Sequence, residues 1–177
     1  MNKKLKLWEL NRKTEAEFRK QEKFPIVLVL DDIRSLNNIG SFFRTADAFN
    51  IEKIFLCGIT AIPPHRDIHK TALGATETVN WEHQEQIMTC IQSLKKEGYE
   101  LCVIEQTKQT ILLQEVSKLN TKPVALVFGN EVNGVAQEVV DFSDQIIEVP
   151  QFGTKHSLNV SVCAGIVMWE FCKKHIE

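Results

Sequence analysis

No stretch of this chain approaches the ~20 consecutive apolar residues that a helix needs to cross a bilayer. The amino terminus, Met1-Asn2-Lys3-Lys4-Leu5-Lys6, is basic, but the apolar run of a secretory signal does not follow it. Five cysteines (Cys57, Cys90, Cys102, Cys163, Cys172) form no Cys-x-x-Cys pair, and most lie in apolar stretches. They read as reduced core residues of a cytoplasmic protein. The dinucleotide fingerprint G-x-G-x-x-G is missing, and so is the phosphate-cradling G-x-x-x-x-G-K-[ST] loop. A nucleotide-like ligand would therefore need a differently built site. There is no internal repeat, no low-complexity tract and no long linker. Excess positive charge is also lacking, since the net charge of −2 does not advertise a nucleic-acid binder.

What is present is an ordinary globular composition, 44% hydrophobic and 25% charged, over 177 residues, a length that suits one domain. The charge is unevenly placed. Residues 1–24 carry Lys3, Lys4, Lys6, Arg12, Lys13, Arg19, Lys20 and Lys23 against Glu9, Glu15, Glu17 and Glu22, on an otherwise acidic body. Such a segment suits phosphate contact or a solvated helix face.

Apolar patterning predicts a helix over residues 3–22 and a buried strand at Ile26–Leu30 after Pro25. Asn38 is placed to cap a helix reaching Phe49. A strand at Lys53–Cys57, a short helix at Ile68–Leu73 and a helix over 84–97 follow, then a strand at Tyr99–Ile104. A helix near Leu112–Lys118, a strand at Pro123–Phe128, a helix at Val135–Phe142 and a strand at Gln145–Val149 lead to a closing helix at Leu158–His175. Strands alternating with helices predict one α/β domain over 25–177, its mainly parallel sheet covered on both faces, with residues 1–24 as a basic helical extension.

Three polar stretches interrupt this pattern: Asn37–Ala46, Phe128–Gly134 and Pro150–Ser161. The second and third each follow a strand and precede a helix, where an open α/β sheet presents backbone amides to a ligand. Gly129 and Gly134 bracket one loop and Gly153 lies in the other, so two glycine loops at strand ends could build a pocket for an adenine and its ribose.

The three stretches resemble the ordered motifs of the SPOUT methyltransferases, in the SpoU (TrmH-like) branch that methylates ribose 2′-hydroxyls of RNA. The resemblance runs from about Ile26 to Lys173 and rests on Asn38-x-Gly40-x-x-x-Arg44, on Gly129 with Glu131, and on Ser157-Leu158-Asn159. It implies S-adenosylmethionine as cofactor, held by Gly129, Val149 and Leu158, with Gly153 in the same loop and a further contact near Glu105. It implies a C-terminal trefoil knot, a homodimer formed through the last helix, and an active site completed across that interface. Arg44 would grip the target phosphate and polarise the 2′-oxygen, since a guanidinium stays protonated. Glu131 would orient Arg44 or Asn38, and Ser157 and Asn159 would hold that network. Asn130 and Asn133 depart mildly from the family pattern.

The expected activity is methylation of a ribose 2′-hydroxyl of structured RNA. Transfer RNA is the first expectation, because a basic N-terminal helix is present and no separate RNA-binding domain precedes the catalytic one. Ribosomal RNA is the alternative, and a non-catalytic RNA-binding module the rival from another class. No metal is expected: His65 and His69 flank Asp67, but Pro63-Pro64 blurs the helical register and no third ligand is placed. Arg66 and Lys70 suit an RNA-facing loop instead. His156 lies inside the third motif, where it could touch substrate or bond locally.

Overall fold

In the computed structural model, which describes residues 2–118 and 123–176, seven strands form one parallel sheet. They are β1 (Phe24–Asp31), β2 (Ile51–Cys57), β3 (Asn80–Gln84), β4 (Glu100–Ile104), β5 (Ile111–Leu112), β6 (Val124–Phe128) and β7 (Gln145–Glu148). Their order across the sheet is β3-β2-β1-β6-β4-β7-β5. The helices are α1 (Glu15–Lys20), α2 (Leu36–Ala48), α3 (Arg66–Ala72), α4 (Ile87–Lys96), α5 (Gln137–Phe142) and α6 (Val160–Cys172).

The two-residue period of the central strands sorts their side chains between two cores. Ile26, Leu28 and Leu30 of β1 pack with Phe42 and Phe43 of α2, Ile68 of α3 and Val167, Met168 and Phe171 of α6. Val27 and Val29 face the other way, onto Cys90, Ile91 and Leu94 of α4 and Val139 and Val140 of α5. Each such side chain, fully buried, contributes roughly 1.5–3 kcal/mol, which is why the continuous apolar runs of β1 and β6 lie at the centre of the sheet.

Four expectations change. The helix foreseen over 3–22 is two short pieces, a 3-10 turn at Leu7–Leu10 and α1, separated where Asn11 takes a left-handed conformation and Thr14 caps α1. All side chains described from residue 2 to 17 are exposed, so no packing sustains a longer helix. The helix foreseen over 84–97 is α4 alone, preceded by β3, whose Asn80-Trp81-Glu82-His83-Gln84 is polar because it is an edge strand. The region Leu112–Lys118 is the end of β5 followed by a 3-10 turn. Asn38 does not cap α2: Ser35 does, its hydroxyl accepting from Asn38 N at 3.3 Å. Asn38 is thereby turned inward and is 8% exposed.

Candidate active site

Beyond the C-terminal ends of β4, β6 and β7 lies a cleft of about 660 Å³. This is the edge at which open parallel sheets bind ligands. Its wall is made by the turn after β6, the residues after β4 and the loop from β7 into α6. Glu105, Gly129, Glu131, Val149, Ser157, Leu158 and Asn159, all singled out in the sequence, line it. Arg44 and Gly153 do not line it, and Asn38 reaches it only through a partner.

Gly129 has a packing reason to be glycine. A Cβ there would lie 2.2 Å from both the Gly134 carbonyl carbon and the Val135 nitrogen, so the turn after β6 could not close over any side chain. The turn is pinned from inside by Asn130, whose backbone pairs with Gly134 in both directions at 2.9 and 3.0 Å. The Asn130 Oδ1 accepts from Val132 N and Asn133 N. Gly134 sits at φ 68 with a Glu105 oxygen where its Cβ would be. Glu105 in turn accepts from Val135 N at 3.1 Å and from Gln106 N at 2.8 Å. Glu105 therefore ties the end of β4 to the turn after β6.

The three motifs meet in one hydrogen-bonded chain. Asn38 Nδ2 donates to Glu131 Oε1 at 3.0 Å, and Asn159 Nδ2 donates to Asn38 Oδ1 at 3.1 Å. Asn159 Oδ1 caps α6 by accepting from Ser161 N at 3.0 Å and Val162 N at 3.2 Å. The two oxygens of Glu131 also accept from Arg34 N and Ser35 N, each at 3.1 Å. Partial burial would raise the Glu131 pKa, but the backbone amides, including its own, and the Asn38 amide outweigh that and hold it below the ordinary carboxylate value. A carboxylate so held is a poor proton acceptor and a good positioning group.

Ser157 is exposed on the cleft wall and makes no hydrogen bond among the described residues, and the serine that joins the chain is Ser161, its Oγ 2.7 Å from Asn159 Oδ1 and 3.4 Å from Asn38 Oδ1. Ser161 was not foreseen. The spacing Ser157-x-Asn159-x-Ser161 holds two serines, and only the helix start at Val160 decides which of them faces Asn38. Gln106 was also missed; its side chain donates to the His156 carbonyl at 3.3 Å, tying the end of β4 to the third motif.

Arg44 lies on α2 six positions after Asn38, a rotation of about 240° at 3.6 residues per turn. It is exposed and makes no hydrogen bond or ion pair among the described residues. On the neighbouring face of α2, Thr45 is 3.9 Å from where a Cβ on Gly165 of α6 would be. Gly153 is exposed in an open stretch.

His65 caps α3 with its ring nitrogen, accepting from Asp67 N at 3.2 Å. Among the described residues no three metal-ligating side chains converge. Burial raises the thiol pKa of Cys102 and Cys172 to about 12, and that of Cys163, on the cleft wall, to about 11. None of these three is an activated nucleophile.

A parallel sheet whose cleft is built by glycine-bearing loops of its C-terminal half, joined to α2 through Asn38, defines an α/β domain of the SPOUT kind. The chain belongs to the SpoU rRNA Methylase family, whose profile matches residues 25–169. It is 32% identical over 153 residues to a Borreliella burgdorferi protein named an uncharacterized tRNA/rRNA methyltransferase, covering 86% of this chain and 65% of the relative. It is 31% identical over 152 residues to the 23S rRNA (guanosine-2'-O-)-methyltransferase RlmB of Nitrosomonas europaea, covering 86% of this chain and 57% of that one. The chain thus spans about three fifths of the length of these curated relatives. The crystal structure of the A. aeolicus TrmH/SpoU tRNA modifying enzyme aligns with a TM-score of 0.80 at 25% identity, covering 92% of this chain and 80% of that one.

Proposed function

We propose that this chain transfers a methyl group from S-adenosylmethionine to a ribose 2′-hydroxyl of structured RNA, with transfer RNA the favoured substrate. The observation that carries the reading is the Glu131–Asn38–Asn159 chain, which gathers all three motifs at the lip of one cleft. The cleft suits the cofactor in size, since small-molecule sites run from about 300 to 1,000 Å³. Its lining also suits it: apolar Ile104, Val149 and Leu158 beside the backbone of the turn after Gly129. When bound, S-adenosylmethionine supplies an electrophilic sulfonium methyl group.

The chain's own residues then align and polarise. Gly129, Val149 and Leu158 hold the cofactor, and Glu105 keeps the turn over it closed. Arg44 grips the phosphate beside the target ribose and draws charge toward the 2′-oxygen, while the proton leaves to a group other than the guanidinium. Fixing both reactants in line is worth several kcal/mol of barrier, up to ~7–11 in favourable cases.

Arg44 stands off the cleft lining, which supports a site completed by a second copy of the chain. Val162, Ile166 and Trp169 give α6 an outward apolar stripe 54%, 41% and 50% exposed, suited to pairing two copies. The trefoil knot is part of the same reading, supported by the family match and by the adjacency of β4, β6 and β7. Residues 1–24 form the basic extension, a boundary supported by a family match that begins at residue 25. A cytoplasmic location fits RNA modification, and no helix of the described residues is long and apolar enough to cross a membrane.

Ribosomal RNA is the second reading, favoured by the 23S rRNA relative. Offering in-vitro-transcribed transfer RNA and ribosomal RNA separately, then hydrolysing each with alkali, tests the proposal. A ribose-methylated product resists cleavage at the modified position. Label that appears instead on a base would contradict it.

A further inference from the structure

Between β1 and α2 the chain is fixed at every residue. Asp31 is buried and accepts from Ala136 N at 3.4 Å. Asp32 adopts φ 53, a left-handed conformation uncommon away from glycine. Its Oδ1 accepts from Ile59 N at 2.9 Å, and its carbonyl accepts from Asn130 Nδ2 at 2.7 Å. Ile33 is fully buried, and its N–H donates to the buried Thr60 hydroxyl at 3.0 Å. The N–H groups of Arg34 and Ser35 both donate to Glu131. The Ser35 hydroxyl caps α2.

One group in this frame is left over. The Arg34 side chain is exposed and makes no hydrogen bond or ion pair among the described residues, although the Glu131 carboxylate is bonded to its own backbone. Because Glu131 lines the cleft, the Arg34 backbone stands one hydrogen bond from its wall. Strained backbone persists where its surroundings over-determine it, and such positions cluster where ligands are held. A cation mounted on a rigid frame loses less freedom on binding than one on a mobile loop. The cleft wall itself carries Glu105, Glu131 and Glu148, so an approaching polyanion needs a positive group at the rim.

We propose that Arg34 is a second phosphate-gripping residue, holding a backbone phosphate of the RNA next to the nucleotide that enters the cleft. The proposal rests on the RNA-modifying reading of the same site. It gives the 32–35 loop, which carries no motif arginine, a share in positioning substrate. A guanidinium suits the task because its planar donors match two phosphate oxygens at once.

The test is titration of transcribed transfer RNA and of a ribosomal RNA fragment with the full chain, at salt concentrations from about 50 to 200 mM. Each phosphate contact adds about 0.7–0.9 to the slope of log K against log salt. Arg34→Ala is expected to flatten that slope by about this amount and to weaken RNA binding several-fold. S-adenosylmethionine affinity and the urea midpoint should not move, because the exposed side chain makes no hydrogen bond or ion pair among the described residues. Arg34→Lys should keep the slope and lose part of the affinity. A wild-type slope in Arg34→Ala would overturn the proposal, as would a loss confined to cofactor binding, which would assign Arg34 to the cofactor carboxylate. Failure of the wild-type chain to bind either RNA would overturn the RNA reading together with it.

Discussion

Asn159 Nδ2 donates to Asn38 Oδ1 at 3.1 Å across 121 positions of sequence, joining the N-cap of α6 to the first turn of α2. The same Asn38 amide donates to Glu131, so one buried side chain links α2, the turn after β6 and the start of α6. A buried amide with both ends satisfied specifies a unique arrangement, and losing either end leaves a polar group unpaired.

Asn159→Ala removes both the cap on α6 and one half of this contact. Loss of the cap alone is expected to cost about 0.5–2 kcal/mol. In a cycle with Asn38→Ala the two losses should be non-additive by about 0.5–3 kcal/mol, read from urea unfolding. Strict additivity would mean the two amides act independently.

Gly129→Ala should both destabilise the chain and weaken its binding of S-adenosylmethionine. The added carbon would lie 2.2 Å from backbone atoms of Gly134 and Val135, so the turn must open. Overpacking of this kind typically costs about 1–3 kcal/mol. Gly153→Ala is the control: its Cβ meets nothing within 4 Å, and little change in stability is expected.

Glu131 gives the fold an acid dependence of definite sign. Its carboxyl pKa in the folded chain is below the ordinary value, so the ionised form stabilises the fold above that value. That contribution is lost as pH falls through the folded pKa. Glu131→Gln should therefore be less stable than wild type near neutrality, and the gap should narrow in acid. Unfolding measured from about pH 7 down to about pH 3 checks this. The effect is small because the carboxylate is partly solvated, and a gap that widens in acid would contradict the assignment.

Ile166→Asp places a charge in the middle of the exposed stripe on α6. If that stripe pairs two copies, the wild-type chain should sediment as a dimer at micromolar concentration and the variant as a monomer. Methyl transfer should fall with dimerisation, while each subunit stays folded.

Much of this was legible in the sequence, and the failures have physical causes. Ile26–Leu30 and Val124–Phe128 announce central strands because both of their faces are buried. Glycine in the turn after β6 announces a loop that no side chain would let close. β3 was missed because an edge strand needs no apolar alternation, and its polar residues read equally well as the approach to a helix. Asn38 was misread as a cap because Ser35 and Asn38 are both capping residues, and only the inward turn of Leu36–Asn38 separates them. The structural role of Glu105 had no signal, since it depends on Gly134 and Val135 coming to a carboxylate about thirty positions earlier in sequence. The N-terminal segment has the charge of a helix face but almost no apolar stripe, so its helix breaks into short pieces.

The central claim is tested most directly by methyl transfer from labelled S-adenosylmethionine, with unmodified transfer RNA and ribosomal RNA offered separately to the wild-type chain and to Arg44→Ala. The account predicts label in the RNA, in transfer RNA first, that vanishes with Arg44→Ala while cofactor binding persists. Measurable cofactor binding with no label in either RNA, or label undiminished by the substitution, would contradict it.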